Sequence, residues 1–200
     1  VHGLFADASS WLEVIPHLQS RGLTVTSVQN PLTSLAEAVA TCNRVLDRQD
    51  GPTVLAGHSF AGMIVTEAGI HPKVSALTYI AARAPDANED YVALAARYPK
   101  PPASAGIIFD GDEGRLSEEA FLRDFAPDLP AAKARALYAA QWPFQKSLTD
   151  FILSSTASPR STTILKAMRI SAPSCCASRS SATTILTSTP SSATSCPMSR

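Results

Sequence analysis

The residues best placed to do chemistry lie in Thr53-Val54-Leu55-Ala56-Gly57-His58-Ser59-Phe60-Ala61-Gly62-Met63-Ile64-Val65. An apolar strand runs into a sharp turn that carries Ser59, and an amphipathic helix follows. That is the layout of a nucleophile elbow, in which a strained turn projects a serine hydroxyl above the sheet edge. The helix start offers free backbone N–H groups to an oxyanion developing beside it. Strand and helix approach closely at such a turn, which calls for small residues, and Gly57, Ala61 and Gly62 supply them. Ala61 stands where the G-x-S-x-G pattern has its last glycine. The plain alternative is a Gly-rich turn that only packs tightly, so the surrounding elements have to decide.

Other reactive side chains carry less. His58 adjoins Ser59, but neighbouring residues at an elbow point apart, which argues against it as a base. His17 sits mid-helix and His71 ends a helix; surface or capping positions explain both. Asp110, Asp112 and Glu113 form an acidic turn, and a solvated hairpin explains it more simply than a metal site.

The elements that must position Ser59 alternate in type. Val1-His2-Gly3 reads as the tail of a strand. Ser10 with Glu13 forms a capping box for a helix to about Ser20, with Pro16 as a kink and Gly22 as its stop. Leu23 to Val28 reads as a β-branched strand. Ser34 and Glu37 open a second helix with Leu35, Val39, Cys42, Val45 and Leu46 on its buried stripe. Thr53 to Ala56 is the strand before the elbow, Phe60 to about Gly69 the helix after it, and Val74 to Ala81 a strand expected to be buried on both faces. Alternation at this spacing predicts βαβ units around a parallel sheet.

After Ala81 the pattern changes. A short helix is expected over Asp90 to Tyr98 and a strand at Ile107 to Phe109 with its turn through Gly114. A helix capped by Ser117 should run to Phe125, and another should open at Pro130. Helices with a small hairpin, inserted after a strand, suggest a lid over the end of the sheet.

Composition narrows the classes. Two hundred residues with 45% hydrophobic content suit one domain with a sizeable core. The formal charge of zero gives no reason to expect nucleic acid or an anionic membrane as partner. No apolar run reaches the roughly 18 residues that span a bilayer. Cys42, Cys175, Cys176 and Cys196 have no metal-ligand spacing and no disulfide framework, so a reduced, cytoplasmic setting is expected. With no initiator methionine, a targeting segment lost upstream of Val1 stays open.

Four separated motifs, His2-Gly3-Leu4-Phe5-Ala6-Asp7-Ala8-Ser9-Ser10-Trp11, Val28-Gln29-Asn30-Pro31-Leu32, Gly57-His58-Ser59-Phe60-Ala61-Gly62 and Ala81-Ala82-Arg83-Ala84-Pro85, make the chain resemble the α/β-hydrolase superfamily. Within it, the chain is similar to small bacterial esterase-like hydrolases related to hydroxynitrile lyases and methyl-ester esterases. The resemblance implies an α/β fold, a parallel-sheet core over residues 1–83 with a helical cap over 84–150. It implies Ser59 as nucleophile on a small-molecule ester, with oxyanion N–H groups from Leu4 (Phe5 as the near alternative) and Phe60. It implies no cofactor and no metal. Trp142 and Phe144 become possible pocket lining, with plain cap packing the simpler explanation. A lyase of the hydroxynitrile type would add a cap lysine, for which Lys133 and Lys146 are the candidates.

The end of the chain departs from that pattern. The family order is serine, then acid, then histidine, yet residues 151–200 contain no Asp, Glu, His or Gly, and 22 of those 50 residues are Ser or Thr. Triad acid and base are therefore unknown. Two explanations remain: a low-complexity tail, or a change of coding frame near Asp150, which the abrupt shift favours. Either leaves a core short at both ends, a strand edge exposed at Ala81 and an ester hydrolase with impaired chemistry. A pseudo-hydrolase that binds a small apolar ligand or a partner is the non-enzymatic alternative. The sequence does not speak to oligomeric state.

Overall fold

The structure, a computed structural model, describes residues 1–82, 84, 93 and 96–149 and the backbone of 165–167. All of these fall in one compact unit, Val1–Ile170. The helix expected over Asp90 to Tyr98 lies largely outside the described residues.

The core is a parallel sheet in the order β1 (Thr53–His58), β2 (Val74–Ile80), β6 (Leu165–Ala167). The register sets Gly57 beside Tyr79 and His58 beside Ile80. Val1 extends the sheet on the far side of β1. Its N–H group donates to the Ala56 carbonyl at 2.6 Å, and the His58 N–H donates to the Val1 carbonyl at 3.2 Å. That alternation is the hydrogen-bond pattern of a parallel pair, so Val1, β1 and β2 all point the same way and end at one edge.

Two helices cover one face. In α2 (Leu35–Asp47), Ser34 caps the N-terminus by accepting from the Glu37 N–H at 3.2 Å, and Ala38, Cys42 and Leu46 are buried. In α3 (Ala61–Ala68), seven of the eight residues are buried. Leu55, Leu77 and Tyr79 face this side, where the Tyr79 hydroxyl meets Thr66 Oγ1 at 2.8 Å. The other face is partly open: Val54 is 60% exposed and Ile80 37%. The expectation that β2 is buried on both faces is thus corrected. The edge expected at Ala81 is corrected too, because Thr78 to Ile80 pair with Leu165 to Ala167.

Local chemistry explains two further departures at the N-terminus. Asp7, not Ser10, caps the first turn, its carboxylate accepting from the Ser9 N–H at 2.9 Å. The regular helix is only α1 (Ile15–Gln19), with Pro16 in its first turn, where a missing N–H costs nothing. Gly22, at φ 78°, ends it as expected. Leu23 to Val28 forms no strand. A β-branched run becomes a strand only when a neighbour takes up its backbone hydrogen bonds, and no described segment pairs with it.

A second, antiparallel sheet follows, with β3 (Ile107–Asp110), β4 (Glu113–Leu116) and β5 (Phe144–Gln145). The expected hairpin is present, with Gly111 at φ 59° in its exposed acidic turn. Ser117 caps α4 (Glu118–Ala120), which widens into a single π turn over Phe121–Phe125, and α5 (Ala131–Ala139) follows. Phe144 belongs to the main core, while Phe5 and Ile107 touch both this core and a second cluster around Phe121.

The closest backbone approach lies at Gly57, where an added Cβ would stand 2.7 Å from the Ala61 carbonyl oxygen and 2.9 Å from Val65 Cγ1. Gly57→Ala is expected to cost about 1–3 kcal/mol in urea unfolding. Gly51→Ala, with nothing within 4 Å of the added carbon, should stay within about 0.5 kcal/mol.

Candidate active site

Ser59 adopts the left-handed conformation, φ 54°, between β1 and α3. A non-glycine residue held there costs of order 1–3 kcal/mol, and such strain gathers at functional sites. The surroundings hold it in place: the Ser59 N–H donates to the Ile80 carbonyl at 3.2 Å, and the Gly62 N–H to the Ser59 carbonyl at 3.0 Å. Phe5 (φ 62°) and Ala81 (φ 42°) are also left-handed, each just past a parallel strand stub ending at the same edge. Ligands of open α/β sheets bind outside the carboxyl ends of the strands, and that is where these three residues lie.

Gly3 brings the first loop against the elbow. A Cβ on Gly3 would stand 2.9 Å from Ser59 Cβ and 2.9 Å from the His58 carbonyl oxygen. Leu4 therefore begins its loop beside Ser59. Phe60 is buried at the first position after the serine, with helical φ and ψ. Among the described residues neither the Leu4 nor the Phe60 N–H has a hydrogen-bond partner. Ser59 itself is exposed, and among the described residues no side chain hydrogen-bonds its hydroxyl.

The remaining candidates are occupied elsewhere. The His58 ring packs edge-on against Trp11, centroids 6.5 Å apart. His71 Nε2 meets Asp47 Oδ1 at 3.1 Å, and His17 is exposed. Lys133 pairs with Glu13 at 3.0 Å, and Lys146 lies 5.6 Å above the Phe109 ring. Trp142 is 58% exposed and Phe144 fully buried, so Phe144 is core packing, not pocket lining. A small apolar cavity of about 30 Å³, room for about one water, lies between Phe5, Asp7, Phe121, Phe125 and Leu137. Asn30, named in the sequence only as part of the Val28 to Leu32 motif and without a role, is fully buried against His2; before Pro31 it looks like any loop residue.

Burial holds His2 and His58 below the ordinary imidazole value of 6.5, and for His58 the neighbouring His2 adds to the effect. Groups with depressed pKa take up protons on unfolding, so the unfolded state binds more protons as pH falls. Stability should be fully present well above pH 6.5 and should fall from there downward as the imidazoles of the unfolded chain take up protons. The urea midpoint measured from pH 8 to pH 5.5 checks this; a flat profile would contradict it.

A profile of the alpha/beta hydrolase family matches residues 1–173, a range that runs past Asp150. A comparison with curated proteins gave no match. Among solved structures, polyneuridine aldehyde esterase aligns with a TM-score of 0.63 at 19% identity, over 75% of this chain and 69% of that one. An extracellular alpha/beta-hydrolase from a Paenibacillus species gives 0.63 at 19%, over 78% and 70%. A methylesterase from Arabidopsis gives 0.60 at 20%, over 80% and 70%. Among the described residues no helix is long and apolar enough to cross a membrane. A strained serine between a parallel strand and a buried helix, a glycine loop against it, and a match over most of the sequence lead to one conclusion: the chain belongs to the alpha/beta hydrolase family.

Proposed function

We propose that the chain is a carboxylesterase-like serine hydrolase, acting on small esters through an acyl-enzyme on Ser59. In the reaction, Ser59 Oγ bonds to the ester carbonyl carbon and the carbonyl oxygen becomes an oxyanion, received by the N–H groups of Leu4 and Phe60. The C–O bond to the alcohol then breaks, and water releases the acid. Residues 1–83 act as the hydrolase core and 84–150 as the cap. The observation that carries the reading is the left-handed Ser59 with Gly3 packed on its Cβ.

Turnover is slow in this reading. Residues 151–200 supply no acid and no histidine, and losing the base of a serine triad removes about six orders of magnitude from kcat. An oxyanion hole and binding alone still leave about 10³–10⁴-fold over water. Short-chain p-nitrophenyl esters test this: slow p-nitrophenolate release that disappears in Ser59→Ala is expected, and equal release by both proteins would refute it. The unpartnered hydroxyl of Ser59 also favours a second reading, a pseudo-hydrolase that binds an apolar ligand. It is distinguished by ligand binding without acylation. A lyase reading gains no support from Lys133 or Lys146, both held elsewhere.

A further inference from the structure

The segment that follows Leu4 walls a cavity. Phe5, Ala6, Asp7 and Ser10 line one side of it, and Phe121, Phe125 and Leu137 the other. Two backbone features shape these walls. Phe5 holds a left-handed conformation at φ 62°, which is costly for a bulky side chain. Phe121 and Phe125 bracket the π turn, where the Ala126 N–H donates to the Phe121 carbonyl at 2.8 Å. Such turns are rare and gather at functional sites. The rings meet one another: Phe125 lies 5.8 Å from Phe5 and 4.9 Å from Phe121 between centroids. Leu137, half-buried on α5, completes the wall.

The two polar side chains in the lining have partners of their own. Asp7 Oδ1 accepts from the Ser9 N–H at 2.9 Å and from the Ser9 hydroxyl, and the Ser10 hydroxyl donates to the Asp7 carbonyl at 2.8 Å. What remains is an apolar space of about 30 Å³, room for one water-sized group such as a methyl. Resting on the serine-hydrolase reading above, we propose that this cavity takes the end of the ester's acyl chain and restricts it to about acetyl length, with Leu137 setting the limit. In that reading the acyl carbonyl sits at Ser59 with its oxygen toward the Leu4 N–H, so the chain runs on toward Phe5 and Ala6. The alcohol must leave for solvent, while the acyl group stays through both half-reactions and can use an apolar site beside the loop.

The test uses Ser59→Cys, because a thiolate attacks without a base. p-Nitrophenyl acetate, butyrate and hexanoate are compared. In each case the sulfur bonds to the carbonyl carbon, the C–O bond breaks and p-nitrophenolate leaves with the electron pair. The mass of the peptide carrying position 59 gives the rate, and N-acetylcysteine gives each ester's intrinsic reactivity. Relative to that thiol, Ser59→Cys should prefer acetyl over butyryl at least about 10-fold, since one methylene in an apolar pocket is worth about 10- to 200-fold. Adding Leu137→Ala should remove about 10-fold or more of this preference, and adding Leu137→Val should remove less. Leu129→Ala is the control, because Leu129 packs against the same cluster without lining the cavity; it should leave the ratio within about two-fold.

No acetyl preference beyond that of the free thiol would overturn the proposal. So would an unchanged ratio in Leu137→Ala, or an equal shift in Leu129→Ala, either of which would make the cavity a packing void. If Leu137→Ala fails to fold, Leu137→Val still decides: a reduced preference supports the proposal and an unchanged one overturns it. Absent Ser59-dependent ester hydrolysis in the parent chain, with an acetyl preference in Ser59→Cys that Leu137→Ala removes, would discard the hydrolase reading and leave the assignment of the cavity standing.

Discussion

Phe144→Ala is expected to destabilise the chain by about 3–5 kcal/mol, the range for removing a fully buried aromatic ring. Phe144 has no exposed surface. It lies edge-on to Phe5 at 5.3 Å and to Phe109 at 6.0 Å between ring centroids. The opposing strand has made room for it: a Cβ on Gly114 would stand 2.5 Å from the ring, so neighbouring backbone cannot easily close over the hole. Phe5 also meets Phe125 of the second cluster at 5.8 Å, so the loss should loosen the Leu4–Phe5 loop as well as the core. A protein stable by about 5–15 kcal/mol would lose much of its margin. Urea unfolding checks the number, with Trp142→Ala as control, since that ring is 58% exposed and should cost within about 0.5 kcal/mol. Similar losses for both would mean that Phe144 does not pack in the main core as described.

Ser59→Cys is expected to raise the rate of acylation by an activated ester at least about 100-fold. A serine hydroxyl needs a base to lose its proton, and none of the described side chains hydrogen-bonds to it. A thiol is a few per cent ionised near neutral pH and intrinsically strongly nucleophilic. The variant keeps the left-handed turn and the Leu4 and Phe60 N–H groups, so only the need for a base changes. Burst release of p-nitrophenolate measures it. An unchanged rate would mean that the limit is access or oxyanion geometry, and the proposed lack of a base would not be what limits acylation. Burial lifts the pKa of Cys42 to about 11, and because Cys175, Cys176 and Cys196 are also thiols, the acetyl group is located at position 59 by peptide mass.

The elbow was legible because its determinants are local. Strand, turn and helix follow one another within about a dozen residues, and the small residues Gly57, Ala61 and Gly62 sit where β1 and α3 meet. The Ser34 cap and the hairpin with Gly111 in its turn are local in the same way. The misreadings depended on partners distant in sequence. Leu23 to Val28 has strand-like composition but no neighbour to pair with. The edge at Ala81 is taken up by Leu165 to Ala167, a pairing no periodicity could announce across more than eighty residues. Asp7 displaced Ser10 as cap because its carboxylate reaches the Ser9 N–H, a choice between two good caps that composition leaves open. Phe144 and Asn30 look alike to any exposed aromatic or loop amide in sequence; their burial comes from Phe5 and His2, more than a hundred and nearly thirty positions away.

The most direct measurement treats the chain with a fluorophosphonate and locates the adduct by peptide mapping. A single phosphonyl group on Ser59, forming slowly and absent in Ser59→Ala, is the expected result, because phosphonylation uses the same nucleophile and oxyanion donors as ester attack. An unmodified Ser59 after prolonged exposure, or adducts scattered over the other serines, would contradict Ser59 as the nucleophile.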